Sequence, residues 1–194
     1  AGIIQVAPVE SLEIADFHDA MNVNFWGTVY ATFAALPHMR RQGGGRIVNI
    51  TSIGGKVAIP HLLPYDCAKF ASVGFSEGLR AELAGSGVSV TTVVPGLMRT
   101  GSPVHVRYGG QAAKEYAWFA AGDVTPVTAM SAERAAAAIV AALRRRDAEV
   151  VLSWQAKLLR MAHDMAPGAM ARTLGVVARA LPDAPDTPAA PPGE

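Results

Sequence analysis

The amino-acid sequence predicts an α/β fold, a doubly wound parallel sheet flanked by helices. Two observations carry this expectation. Arg46–Ile50, Val88–Val94 and Glu149–Leu152 are short β-branched or apolar runs, the composition of strands buried on both faces of a parallel sheet. Between them lie segments whose apolar residues repeat at helical spacing and whose ends carry glycine or proline. The expected sheet has these three main strands plus the tail of a fourth at Ala1–Ile4.

In chain order, Ser11 with Glu13 and Ile14 marks the entry to a short helix. A longer helix is expected from Asn22 to about Gln42, with Phe25, Val29, Phe33 and Leu36 as its buried face. The strand at 46–50 follows three glycines and ends at Thr51-Ser52, where Gly54-Gly55 turn the chain away. After Pro60 and Pro64 comes a helix from Tyr65 to Ala84, with Phe70, Val73, Gly74, Leu79 and Leu83 partly buried. Gly85-Ser86-Gly87 ends it. The strand Val88–Val94 stops at Pro95-Gly96. A further helix runs from Ser131 as cap to Arg146, and the last short strand occupies 149–152. Trp154, Leu158, Met161 and Met165 open a helical extension that continues to Leu181 after Pro167-Gly168. The proline- and alanine-rich residues 182–194 read as a disordered tail.

The chemistry concentrates between Gly45 and Ala71. Ser52 sits at the carboxyl end of a strand, the usual side for a ligand crevice in an open α/β sheet. Tyr65 and Lys69 are four residues apart, on adjacent turns of one helix face. A free phenol titrates near ~10. A nearby ammonium lowers that value, so Lys69 is expected to make Tyr65 a usable proton donor and acceptor. Ser52 can hydrogen-bond the same substrate oxygen. None of these groups can donate or accept hydride, so a redox reaction needs a nicotinamide cofactor.

Ser52, Tyr65 thirteen positions later and Lys69 four beyond that resemble the catalytic signature of the short-chain dehydrogenases/reductases. Three more segments match in the right order. Met21-Asn22-Val23-Asn24-Phe25-Trp26-Gly27 is similar to the family's Asn-containing helix. Pro95-Gly96-Leu97-Met98-Arg99-Thr100 resembles its cofactor loop, and Ala1-Gly2 the end of its Asn-Asn-Ala-Gly motif. The resemblance covers residues 1 to about 152 and implies a Rossmann-like domain. It further implies catalytic roles for Asn24, Ser52, Tyr65 and Lys69. Cofactor contacts are implied for Ala1, Gly2, Tyr65, Lys69, Pro95, Gly96, Met98 and Thr100. Asn24 either bonds local backbone or, as the family implies, bends its helix and orders a water next to Lys69; the second is preferred. The implied activity interconverts an alcohol and a carbonyl with NAD(P)(H), leaving NADP versus NAD open. The same fold serving as a non-catalytic binding module is the rival reading, and a hydrolase using Ser52 is disfavoured because no Gly-x-Ser-x-Gly elbow surrounds it.

The family's glycine-rich phosphate-binding turn has no counterpart in these 194 residues. The expectation is therefore an N-terminally truncated domain at 1–153, a helical extension at 154–181 and the tail. A fragment of this kind should bind cofactor poorly and leave a sheet edge unpaired.

Composition narrows the partners. A net charge of +1 and a lone Arg144-Arg145-Arg146 cluster argue against nucleic acid. One cysteine, Cys67, precludes an internal disulfide and fits a reducing, cytoplasmic compartment; its position in the helix reads as small filler. No apolar run reaches about 18 residues, the length of a membrane span. No metal is expected. The aromatic residues between Tyr108 and Phe119 either line an apolar substrate pocket or anchor a lid. The family implies a homo-oligomer through the helices at 22–42 and 65–84. For the extension, packing over the pocket or against a second subunit is preferred to membrane-surface contact.

Overall fold

The computed structural model describes residues 2–99, 102–124 and 129–184. Ala1, Thr100 and most of the proposed tail lie outside the described residues. In chain order the elements are β1 (Gln5–Val6), α1 (Ile14–Ala20), α2 (Gly27–Arg41), β2 (Gly45–Ile50), α3 (Leu63–Glu82), β3 (Val88–Val94) and β4 (Met98–Arg99). They continue with β5 (Arg107–Tyr108), α4 (Ala112–Val124), β6 (Met130–Ser131), α5 (Ala132–Arg145), β7 (Glu149–Val151), α6 (Trp154–Met165) and α7 (Pro167–Ala178).

The main sheet is parallel, in the order β2-β3-β7. Gly45 to Ile50 pair in register with Val88 to Val93, and Thr92 to Val94 with Glu149 to Val151. Being central, β3 is the most deeply buried strand, with Val90, Val93 and Val94 fully enclosed. Its two buried threonines keep their hydroxyls paired. Thr91 donates to the Asp147 carbonyl at 2.7 Å, and Thr92 is 2.7 Å from the Ser76 hydroxyl, which accepts from Asn49. One core cluster joins Leu36, Ile47, Leu83, Val88 and Val90, and a second joins Val93, Ala135 and Leu152. The helix before β3 ends as the glycines imply. Gly87 has φ +80°, and a Cβ there would lie 2.7 Å from the Gly43 carbonyl oxygen.

Residues 2–4 do not form the tail of a fourth sheet strand. The backbone N–H and carbonyl of Ile3 are taken by the Asn24 side-chain amide, at 3.2 and 2.9 Å, and the Ile4 carbonyl accepts from the Arg107 N–H at 3.0 Å, leading into the separate β1–β5 pair. Among the described residues the outer edge of β2 is unpaired. Two further parallel pairs, β1 with β5 and β4 with β6, brace the region beside the site.

Two buried faces differ from expectation. Phe33 is 62% exposed and Phe70 43%, and Gly74 is exposed too. The face α3 turns inward instead carries Asp66, Ala68, Lys69, Ser72, Val73 and Ser76. Polar side chains occupy it because each hydroxyl finds a partner, as when Ser72 donates to the Ala68 and Asn24 carbonyls. Cys67 is exposed and fills nothing. In the extension, Ala156 is buried while Trp154, Leu158, Met161 and Met165 are 49–79% exposed.

Candidate active site

Strand β2 delivers Ser52 to the carboxyl edge of the sheet. Thr51 bonds the Val93 carbonyl through both its N–H and its hydroxyl, at 2.8 and 2.7 Å. The Ile53 N–H then donates to the Pro95 carbonyl at 2.7 Å, which clamps the turn to the loop after β3. Ser52 caps the turn by accepting from the Gly54 N–H at 3.1 Å.

The first turns of α3 pack directly on that turn, and only glycine permits it. A Cβ on Gly54 would lie 2.4 Å from Asp66 Oδ1 and 3.3 Å from Tyr65 Cε1; one on Gly55 would lie 2.6 Å from the Lys69 carbonyl oxygen. The close approach puts the Ser52 hydroxyl in hydrogen-bonding reach of the Tyr65 phenol. Lys69, 8% exposed, places its Nζ 5.5 Å from the Tyr65 ring centroid and donates to the Ile50 carbonyl at 3.4 Å.

The electrostatics depart from expectation. Burial pushes the Tyr65 phenol up to about 12; the Ser52 hydrogen bond opposes this and the Asp66 charge adds to it. Lys69 does not lower the phenol here. Its own amine is depressed by burial to about 8, so it is mostly cationic at neutrality but has lost its charge well before the phenol ionises. Burial also raises Asp66 to about 8, against the lowering effect of the Ile59 N–H, which donates to Oδ2 at 2.6 Å. Among the described residues its Oδ1 has no hydrogen-bond partner.

Asn24 lies in a π-helical segment, Met21–Trp26, between α1 and α2. Its side chain holds Ile3, and its carbonyl accepts from Thr28 and Ser72 at 3.2 and 3.1 Å. It therefore contacts α3 one turn beyond Lys69, and its side-chain amide bonds backbone. Gly2 passes so close that a Cβ would lie 2.9 Å from Asn24 Oδ1.

Ser52, Tyr65, Lys69, Pro95, Gly96 and Met98 line one cavity of about 440 Å³, closed on its far side by Trp118, Phe119 and Leu159. Six of the residues singled out by sequence thus converge. Ala1 and Thr100 fall outside the described residues. The cavity is mostly apolar, with a serine, a phenol and an amine at one end, and it suits a flat ring laid against the Pro95–Met98 loop. Those residues fit the nicotinamide end of a dinucleotide. Among the described residues no group of three or more His, Cys, Asp or Glu could hold a metal.

Sequence reasoning missed Asp66 and the pair His61 and Glu115. Asp66 stands between Tyr65 and Lys69, where its burial was readable only as the residue after a candidate phenol. Glu115, within Lys114-Glu115-Tyr116, looks like any surface charge.

Comparison with known proteins agrees with this geometry. The family model described as short chain dehydrogenase matches residues 1–111. The chain is 37% identical over 159 residues to SadH of Mycobacterium tuberculosis, covering 81% of this chain and 57% of SadH. It is 32% identical over 167 residues to the dehydrogenase/reductase SDR family protein 7-like of Drosophila melanogaster, covering 86% and 50%. The chain thus spans about half the length of these relatives. Among solved structures, a short-chain dehydrogenase from Streptomyces avermitilis superposes with a TM-score of 0.75 at 27% identity, covering 92% of this chain and 67% of that one. One from Burkholderia cenocepacia in complex with NADP gives 0.71 at 27% identity, covering 90% and 65%.

Proposed function

The chain belongs to the short chain dehydrogenase family, and on that premise we propose that the complete protein is an NAD(P)-dependent oxidoreductase interconverting an alcohol and a carbonyl. The observation that carries the reading is the convergence of Ser52, Tyr65 and Lys69 on one apolar cavity at the carboxyl edge of the sheet. Hydride comes from, or goes to, the nicotinamide of NAD(P)(H).

The side chains account for the proton and the orientation. A phenol held near 12 keeps its proton through neutrality, so in the reducing direction Tyr65 donates it to the developing alkoxide. Ser52 donates a hydrogen bond to the same oxygen, which fixes the carbonyl against Tyr65. Lys69, titrating near 8, changes charge close to working pH and resupplies the proton path behind the phenol. Asn24 supports that path by bonding α3 through Ser72 one turn on. The cavity's apolar lining favours an apolar ketone or alcohol. We place a homo-oligomer contact on α2, the π-helical turn that precedes it, and α3, where Trp26 and Tyr30 stack at 5.7 Å in the open and Phe33 and Phe70 are exposed.

Tyr65→Phe in the full-length protein tests the mechanism. Turnover of a ketone panel with NADPH and NADH should fall roughly 10²–10⁴-fold while cofactor affinity stays nearly unchanged. Retained turnover would remove Tyr65 from the chemistry.

A further inference from the structure

The helix that closes the cavity, α4, is anchored by a carboxylate with no access to solvent. Glu115 is fully buried. Its two oxygens lie 2.9 and 3.1 Å from Nδ1 of His61, and its Oε2 accepts the indole N–H of Trp118 at 2.5 Å. A buried carboxylate persists only when hydrogen-bonded. Here both donors are rings, one on the loop before α3 and one on α4 itself, three residues along the same face.

The loop side of this bridge is unusually well held. His61 has φ +66°, in the left-handed region, and its carbonyl accepts from the Ala7 N–H at 2.9 Å. Its imidazole meets the Trp118 indole edge-on, 6.4 Å between centroids. Trp118 and its neighbour Phe119, 5.8 Å away, both line the cavity with Tyr65 and Lys69. Neither His61 nor Glu115 lines it; Trp118 does, and it is the cavity residue that Glu115 bonds directly, while Ile59 and Leu62 flank His61 on the same wall.

We propose that Glu115 is a positioning residue: by bridging His61 and Trp118 it seats the indole as a fixed wall of the cavity and limits the size of ketone or alcohol that reaches Tyr65. The nature of the ligand rests on the oxidoreductase reading above; the seating of the indole does not. A charge-assisted acceptor between two ring N–H groups is directional, so it fixes the indole plane in a way apolar contact alone does not.

The test uses the full chain carrying Trp26→Phe and Trp154→Phe, which leaves Trp118 as the sole tryptophan. Glu115→Gln keeps the volume but loses the charge, and should lower the population of the seated indole roughly tenfold. Acrylamide quenching of Trp118 fluorescence then rises, and amide exchange across 112–122 quickens while that of 88–94 is unchanged. Trp118→Phe in the natural chain removes the indole N–H and should quicken the same amides, which covers a Glu115→Gln chain that does not fold. Unchanged quenching in Glu115→Gln, or unchanged exchange in Trp118→Phe, overturns the proposal. In the full-length enzyme, Glu115→Gln should narrow the ratio of kcat/KM between cyclohexanone and tetralone through KM, with kcat retained. If the parent enzyme turns over no ketone, the reaction assigned above fails, and the fluorescence and exchange results still decide the role of Glu115.

Discussion

The Lys69 amine lies over the face of the Tyr65 ring, 5.5 Å from its centroid, with both groups drawn out of water by the same helix packing. The influences that set the phenol's acidity are its burial, the Ser52 hydrogen bond and the Asp66 charge. Desolvation disfavours the charged form of each partner, so the phenol rises while the amine falls. The chain alone therefore holds its proton on Tyr65, the form suited to a reduction.

Ultraviolet titration of phenolate, compared between the parent chain and Tyr65→Phe, reads this directly. The difference signal should appear only as pH approaches about 12. Ionisation of Tyr65 near neutrality in the chain without cofactor would show that Lys69 dominates burial.

Asp66 makes stability fall with pH. Its carboxyl is raised from 3.8 to about 8 in the folded chain, so between those values the folded state holds a proton that the unfolded state has lost. Its contribution is most favourable below about 4 and declines as pH rises to 8. Asp66→Asn removes that slope. Urea unfolding should show the variant gaining on the parent across this range, by at most about 1.4 kcal/mol for each step of one in pH, and levelling off above it. A difference that does not vary with pH would contradict the assignment.

Gly55→Ala should destabilise the fold by roughly 1–3 kcal/mol, since the new methyl would meet the Lys69 backbone carbonyl oxygen at 2.6 Å and force α3 off the turn. Because Tyr65 moves with α3, turnover in the full-length protein should fall more than stability alone explains. Urea midpoints and kcat at a temperature where both proteins are folded check the two parts separately.

The exposed aromatic residues of α2 and α3 predict self-association. Phe33→Glu with Phe70→Glu should convert an oligomer to monomer in sedimentation velocity, because both side chains face outward and neither lines the cavity. Identical sedimentation of parent and variant would move the contact elsewhere.

Local pattern was enough to locate much of this molecule. β-branched runs mark β2 and β3 because a strand buried on both faces needs such residues along its whole length, and the i, i+4 spacing puts Tyr65 and Lys69 on one helix face whatever surrounds them. The family resemblance, carried by Asn24, Ser52 and the Pro95–Met98 loop, extended that reading to a site. Spacing could not say which face of α2 or α3 turns inward. Phe33 and Phe70 have the pattern of core residues, yet the inward faces carry Thr32 beside Leu36 on α2 and Ser72 on α3, and the Ser72 hydroxyl finds the Asn24 carbonyl only once the chain is folded. The direction of the Tyr65 shift, the raised carboxyl of Asp66 and the Glu115 bridge to His61 and Trp118 were likewise decided by tertiary structure. Each depends on desolvation or on partners up to 54 positions apart in sequence, and local spacing carries neither.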